Sequence, residues 1–207
     1  MIQMLTLDHI AVSAMSLDEA TEACEAALGV PLRQGGRHEV FSTHNTLLGL
    51  SDGLYLEAIA ADADAPVPQR PRWFDLDNFT GPARLTNWIC RTDDLDRILS
   101  KMTDGAGFPV DLNRGDLRWR MAVPASGRLP FDNMHPALIQ WQTPQHPSRV
   151  LGDSGCRLRR LIVRHPDAKI LQDLLAPVFA DERVVFDTAP AGLTAQFDTP
   201  HGPRVLE

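Results

Sequence analysis

Three times along this chain an apolar strand is followed by a capped helix and then by further strands, and that recurrence limits the folds open to it. The first round opens at residues 5–12, where side chains alternate at a strand's two-residue period. Alternation predicts that Leu7, His9 and Ala11 share one face and Asp8, Ile10 and Val12 the other. Ser16-Leu17-Asp18-Glu19 then has the form of a capping box. Leu17, Ala20, Cys24, Ala27 and Leu28 recur at helical spacing, and Gly29 is the expected stop. Strands are predicted near 39–41, 46–50 and 54–59, the last of them after an Asp52-Gly53 turn.

The second round spans residues 83–143. It has a strand at 85–90, a helix capped by Asp93 with Leu95, Ile98, Leu99 and Met102 as its stripe, and strands at 110–113, 117–123 and 136–142. A shortened third round fills 154–207: a strand at 157–164, a helix at 167–176 opened by Pro166 with Ile170, Leu171, Leu174 and Leu175 as its stripe, and strands near 183–187, 193–198 and 204–206. Residues 61–82, rich in Pro, Asp and Ala, connect the first two rounds, with Trp73-Phe74 to anchor the crossing. The expected fold class is α+β. Repeated βαβββ modules lie at 1–60 and 83–143, and a shortened third module at 154–207 is packed on them as one structural unit.

With 207 residues the chain can bury a substantial core. A net charge of −7, with no basic stripe, argues against nucleic acid and anionic membranes as partners. No apolar run approaches the ~18 residues of a membrane span, and Asp8 and His9 interrupt the N-terminal one. Cys24, Cys90 and Cys156 are dispersed, with no C-x-x-C pair, as reduced thiols of a cytoplasmic protein would be. The expected partner is a small molecule, and a homodimer is the assembly to look for.

Two polar residues stand where apolar ones are expected: His9 in the first strand and Glu57 in residues 54–59. A carboxylate in an apolar strand is costly unless it is paired, protonated, ligated or facing a wet cavity. When the second round is laid over the first, Asn87 falls where His9 stands and Gln140 where Glu57 stands. These four positions are therefore expected to line one cavity, with Glu57 as general base, its pKa raised by burial, and His9 as its partner. The plainer alternative for His9 is a core histidine bonded to a backbone carbonyl. Arg120, which shares a strand face with Arg118, is a candidate to hold a substrate carboxylate, with a surface ion pair as its alternative. His38 and Asn45 are expected to fix a hairpin, and His135, His146, His165 and His201 to lie at the surface. There is no G-x-S-x-G, no H-E-x-x-H and no Gly-rich phosphate loop, and no cysteine has a base at a telling spacing.

Leu7-Asp8-His9-Ile10-Ala11-Val12, Gly35-Gly36-Arg37-His38, Asn45-Thr46-Leu47, Tyr55-Leu56-Glu57, Leu117-Arg118-Trp119 and Pro136-Ala137-Leu138-Ile139-Gln140-Trp141 follow one another in this order. Together they resemble the vicinal oxygen chelate superfamily, and more narrowly its glyoxalase-like domain proteins with a truncated third module. The resemblance implies paired modules curled into an open half-barrel that holds a divalent metal (Zn, Ni, Fe or Mn), which polarises vicinal oxygens of a substrate. Carried over residue by residue, the metal-facing positions are His9, Glu57, Asn87 and Gln140. The family's metal enzymes usually offer His or Glu at the last two, and amides are poor ligands for such metals, so a metal is expected to be weakly bound or absent. The implied activity is that of a glyoxalase-like lyase or isomerase acting on a carbonyl substrate. In it Glu57 and His9 would be catalytic, and Asn87, Gln140 and Arg120 would bind the substrate. A non-catalytic small-ligand binding protein and an interaction module with a filled cavity are the alternatives.

Overall fold

The computed structural model describes residues 4–102 and 105–207, and its axis is the strand Thr6–Ser13 (β1). Helix Leu17–Leu28 (α1) follows, then strands Arg33–His38 (β2), Thr43–Gly49 (β3) and Tyr55–Ala61 (β4). The second round is Arg84–Arg91 (β5), Leu95–Leu99 (α2), Phe108–Arg114 (β6), Leu117–Val123 (β7) and Ala137–Trp141 (β8). Short helix Pro147–Val150 (α3) leads into Arg157–Arg164 (β9), Ala168–Leu175 (α4), Val184–Asp187 (β10), Gly192–Thr199 (β11) and Gly202–Leu206 (β12). No helix among the described residues is long and apolar enough to cross a membrane.

The first two rounds merge into one eight-stranded mixed sheet, ordered β2-β3-β4-β1-β5-β8-β7-β6. Their first strands join antiparallel (β1 with β5), and each also pairs in parallel with the last strand of its own round. The sheet curls into a half-barrel until its two edges face each other, where Arg114 of β6 lies against Gly36 of β2. The tail forms a separate four-stranded sheet ordered β10-β9-β11-β12. Its element order repeats that of the earlier rounds, but its wiring differs. There β9 pairs in parallel with the strand just after the helix, not with the last strand.

Registers explain where alternation fails. Between Leu7 and His9, β1 carries one residue more than β5 opposite, and Asp8 is that extra residue. Such a bulge re-aims the side chains beyond it. Leu7 consequently joins Ile10 and Val12 in the main core, while Ala11 and the His9 ring turn to the concave side. Thr86 bulges β5 in the same way, at the corresponding place in the second round.

Other sequence expectations move by small steps. Ser16 caps α1 by accepting from the Glu19 N–H at 3.2 Å, but the Glu19 carboxylate reaches Ala83 N–H instead of completing the box, tying α1 to the start of the second round. Gly29 ends α1 at φ 74°, as a left-handed cap should. The β2–β3 turn occupies 39–42, so that Gly35-Gly36 lies inside a strand. Asp94, not Asp93, caps α2, and Ile170 of α4 is exposed while Ala168, Leu171 and Leu175 are buried.

A second core fills the concave side of the sheet. Trp73 and Phe74, from the connection between the rounds, close it over Phe41, Trp119, Met121 and Ile139. Their 3-10 turn (Trp73–Asn78) holds Phe74 and Asp75 at φ 61° and 59°, a left-handed conformation that non-glycine residues adopt at a cost.

Candidate functional site

β1 and β4 run in parallel, with His9 opposite Tyr55 and Ala11 opposite Glu57. Two residues of register therefore separate His9 from Glu57, and the imidazole bridges them, with Nε2 3.6 Å from Glu57 Oε2. On its other side His9 Nδ1 is 2.6 Å from Asp8 Oδ1, and the ring stacks on Tyr55 with centroids 4.2 Å apart. The second Asp8 oxygen accepts from Trp141 Nε1 at 3.2 Å and lies 2.9 Å from His146 Nε2. Arg91 stands 3.5 Å away. Asp8, His9 and Glu57 are all buried.

Glu57 is further held by Asn45 of the first module, which the far edge of the sheet braces in turn. Asn45 Nδ2 donates to Glu57 Oε1 at 2.5 Å, and Asn45 Oδ1 accepts from Gly36 N–H at 2.9 Å and from Arg114 at 3.1 Å. Arg114 also donates to His38 Nε2 at 3.2 Å. With that nitrogen an acceptor, His38 Nδ1 is the donor to Thr43 Oγ1 at 3.0 Å. The glycine pair makes this possible. A Cβ on Gly35 would lie 2.0 Å from Asn45 Oδ1, and one on Gly36 would lie 2.6 Å from Arg114 Cδ.

Charges in the site are set by a contest between burial and hydrogen bonding. Burial alone would raise the pKa of Asp8, but hydrogen bonds from His146 and His9 hold it well below the usual carboxylate range. Burial opposes the positive charge of His9, yet its bonds to Asp8 and Glu57 win and raise its pKa above 6.5. Glu57 was expected to be raised. Burial does act in that direction, but His9, His38 and Asn45 outweigh it and the pKa is lowered. His38 is pushed down to about 4, mainly by burial, and is neutral at physiological pH. The site thus holds a histidine of raised pKa between two carboxylates, with the Arg114 guanidinium nearby.

Around these groups lies a cavity of about 30 Å³. That is room for roughly one or two waters. Its other wall is Trp119, Met121, Ile139 and Trp141, and Trp73 and Phe74 cover it.

Of the residues singled out from sequence, the structure brings His9 and Glu57 together and leaves the others apart. Asn87 is fully buried but does not line the cavity. Its Oδ1 accepts from Asn133 at 3.4 Å, and its Nδ2 has no partner among the described residues. Gln140 faces α2, where it donates to Asp93 O at 2.7 Å and accepts from Leu95 N–H at 3.3 Å. The expectation that Gln140 lines the cavity fails because Ile139 and Trp141 are the β8 residues that point inward. Arg120 shares the outer face of Gln140 and pairs with Asp96 at 2.7 Å, which excludes it from the cavity. Asp8, Tyr55, Arg114 and His146 were not foreseen in the site, and His38 and Asn45 line the cavity as well as bracing the hairpin. His135 and His165 are buried rather than superficial.

The donors present do not fit the implied divalent metal. Asn87 and Gln140 turn elsewhere, leaving Nε2 of His9 and the Glu57 carboxylate against an apolar wall, whereas a firmly held Zn, Ni or Fe takes three or four protein ligands. Among the described residues no group of three or more His, Cys, Asp or Glu stands in metal-holding geometry.

A family model described as a glyoxalase-like domain matches residues 7–179. Comparison with curated proteins found no match. Among solved structures, a hypothetical protein from Staphylococcus aureus superposes with a TM-score of 0.58 at 13% identity, over 98% of this chain and 84% of that one. A methylmalonyl-CoA epimerase from Mycobacterium tuberculosis gives 0.43 at 16% identity, over 67% and 89%. A variant of the Streptomyces coelicolor methylmalonyl-CoA epimerase in complex with 2-nitronate-propionyl-CoA gives 0.44 at 18%, over 70% and 98%.

Proposed function

The chain belongs to the glyoxalase-like domain family, and on that footing we propose that it is a small-molecule enzyme moving a proton at a carbon next to a carbonyl group. One observation carries this reading: a buried carboxylate, Glu57, has one oxygen fixed by Asn45 and the other turned to a histidine that Asp8 holds in place. Glu57 is the general base. His9, its pKa raised by its two carboxylates, offers its Nε2–H to the substrate's carbonyl oxygen as charge develops there, and Arg114 adds a positive group at the cavity edge. Carbon loses a proton to Glu57 while oxygen gains hydrogen bonding from His9, which is the first half of an isomerase or lyase reaction. No step requires Asn87, Gln140 or Arg120.

The cavity volume favours a second reading. At about 30 Å³ the cavity admits a substrate only when Trp73 and Phe74 move, and if they stay in place the chain is an interaction module with a filled interior. A buried donor on Trp73, its Nε1, has no hydrogen-bond partner among the described residues and supports the first reading, because a substrate oxygen can satisfy it. A panel of α-ketoaldehydes, thiohemiacetals and lactones, assayed on wild type and Glu57→Gln, separates the two. Turnover by wild type that drops roughly 10²–10⁴-fold in Glu57→Gln, at similar melting temperature, supports the base role. No turnover and no thermal shift with any compound would leave the filled module.

A further inference from the structure

Where the eight-stranded sheet meets the tail sheet, a second and much larger cavity of about 570 Å³ opens, within the size range of small-molecule sites. Three guanidinium groups line it, from Arg84, Arg128 and Arg164. Arg128 is neutralised, bonded to Asp132 at 2.6 Å and 3.7 Å from Asp75. The other two are not. Arg84 donates to the carbonyl oxygens of Thr80 and Pro82 and lies over the Phe79 ring at 4.2 Å. Arg164 donates to Thr194 Oγ1 at 2.7 Å. Among the described residues neither has a carboxylate within ion-pair distance. The cavity's remaining carboxylate, Glu207, accepts from the Thr194 hydroxyl at 3.4 Å.

Arg120, Arg157 and Arg183 pair with carboxylates, whereas Arg84 and Arg164 line one cavity with their donors on neutral oxygens. Two that spend their donors on neutral oxygens keep a full positive charge and spare N–H groups for something else. The walls are also costly to build. Phe74 and Asp75 on one side, and Asp132 and Asn133 on the other, all have positive φ, and Asn133 ties the two turns together by donating to Phe74 O at 3.1 Å. Gly192 leaves room, since a Cβ there would come within 3.3 Å of an Arg164 nitrogen.

We propose that this seam cavity binds a small dianion, a dicarboxylate or a phosphate group, between the Arg84 and Arg164 guanidiniums. Phe74 lines this cavity and also the one around Glu57, so the anion lies against the back of the aromatic cover. The site is independent of whether Glu57 is catalytic.

Calorimetry and thermal shift with succinate, malonate, inorganic phosphate and acetate, at constant ionic strength, test the site on the intact chain. The expected result is binding of at least one dianion, with acetate much weaker. Arg84→Gln or Arg164→Gln should weaken it roughly tenfold or more, Arg84→Lys less so, and Arg159→Gln not at all. The dicarboxylate and phosphate arms identify the source of the charge. Should Arg164→Gln unfold, Arg84→Gln and Arg84→Lys carry the comparison. Absence of dianion binding, equal binding of acetate, or indifference to both Gln substitutions overturns the proposal.

Discussion

Asp8 and His9 are neighbours in sequence, and their side chains meet at 2.6 Å between Oδ1 and Nδ1 because β1 bulges at Asp8. In a regular strand the two would point to opposite faces. The bulge gives His9 a fixed orientation, with Nδ1 bound to a carboxylate and Nε2 presented to Glu57, and it gives Asp8 its further partners Trp141 and His146.

Asp8→Asn keeps the shape but removes the charge that supports the imidazolium. The pKa of His9, raised in the wild type, should fall, readable in the imidazole proton shifts on NMR titration. Breaking a buried charge pair should also lower stability by roughly 3 kcal/mol. An unchanged His9 titration would mean that Glu57 alone sets it.

The repeat was legible because its signals are local: the Ser16 and Gly29 caps, the apolar stripes and the turns all act within a few residues. His9 and Glu57 were legible for a related reason, since each is a polar residue in an apolar strand. Asp8 was missed because a bulge is a property of the pairing with β5, which one strand's pattern does not contain. Arg114 was missed because it acts across the seam where β2 and β6 meet, a closeness that depends on the curl of all eight strands. Gln140 was misplaced because Ile139 and Trp141 are as apolar as a helix-facing pair would be, so that the β8 pattern does not tell its two faces apart. The Gly35-Gly36 pair did carry the missing information, as a place where other side chains come close to the backbone.

That closeness has a measurable consequence. Gly35→Ala forces a Cβ to within 2.0 Å of Asn45 Oδ1 and 2.8 Å of Asn45 O, and Gly36→Ala displaces the Arg114 stem. Both should destabilise by about 1–3 kcal/mol, the usual cost of overpacking, with Gly35→Ala the worse because a backbone atom cannot swing aside. Denaturant midpoints order the two variants. A neutral Gly35→Ala would show that β2 is free to shift.

Trp73 stacks on Phe41 at 4.3 Å and meets the edge of His38 at 4.9 Å, so its indole is the main block of the cover. Trp73→Ala should cost about 3–5 kcal/mol and leave a cavity next to Glu57. Added indole should then raise the melting temperature of the variant and leave wild type unaffected, as small apolar molecules fill apolar cavities. If indole gives no rescue, the surrounding residues have collapsed into the space.

The pH dependence of stability follows from the buried histidines, with opposite signs for different ones. His135 is fully buried with Nδ1 2.8 Å from Pro136 O, and burial holds its pKa down at about 4 although that bond pulls it up. Unfolded, it titrates near 6.5, so between those values the unfolded chain binds the extra proton and stability is lost as pH falls. His38, also at about 4, acts in the same direction. Each amounts to about 3 kcal/mol by pH 4. His9, with its pKa raised, behaves oppositely: its contribution is complete below 6.5 and fades as pH rises through its folded value. Asp8 and Glu57, both lowered, contribute above the unfolded carboxylate range and lose that contribution only in stronger acid. In urea unfolding between pH 6.5 and 4.5 the two depressed histidines dominate the change, and a His135 variant against wild type reads one of them. Wild type should lose stability steadily across that window, and His135→Gln should lose it with a slope smaller by about one proton. Parallel slopes for the two proteins would show that His135 is already protonated in the fold.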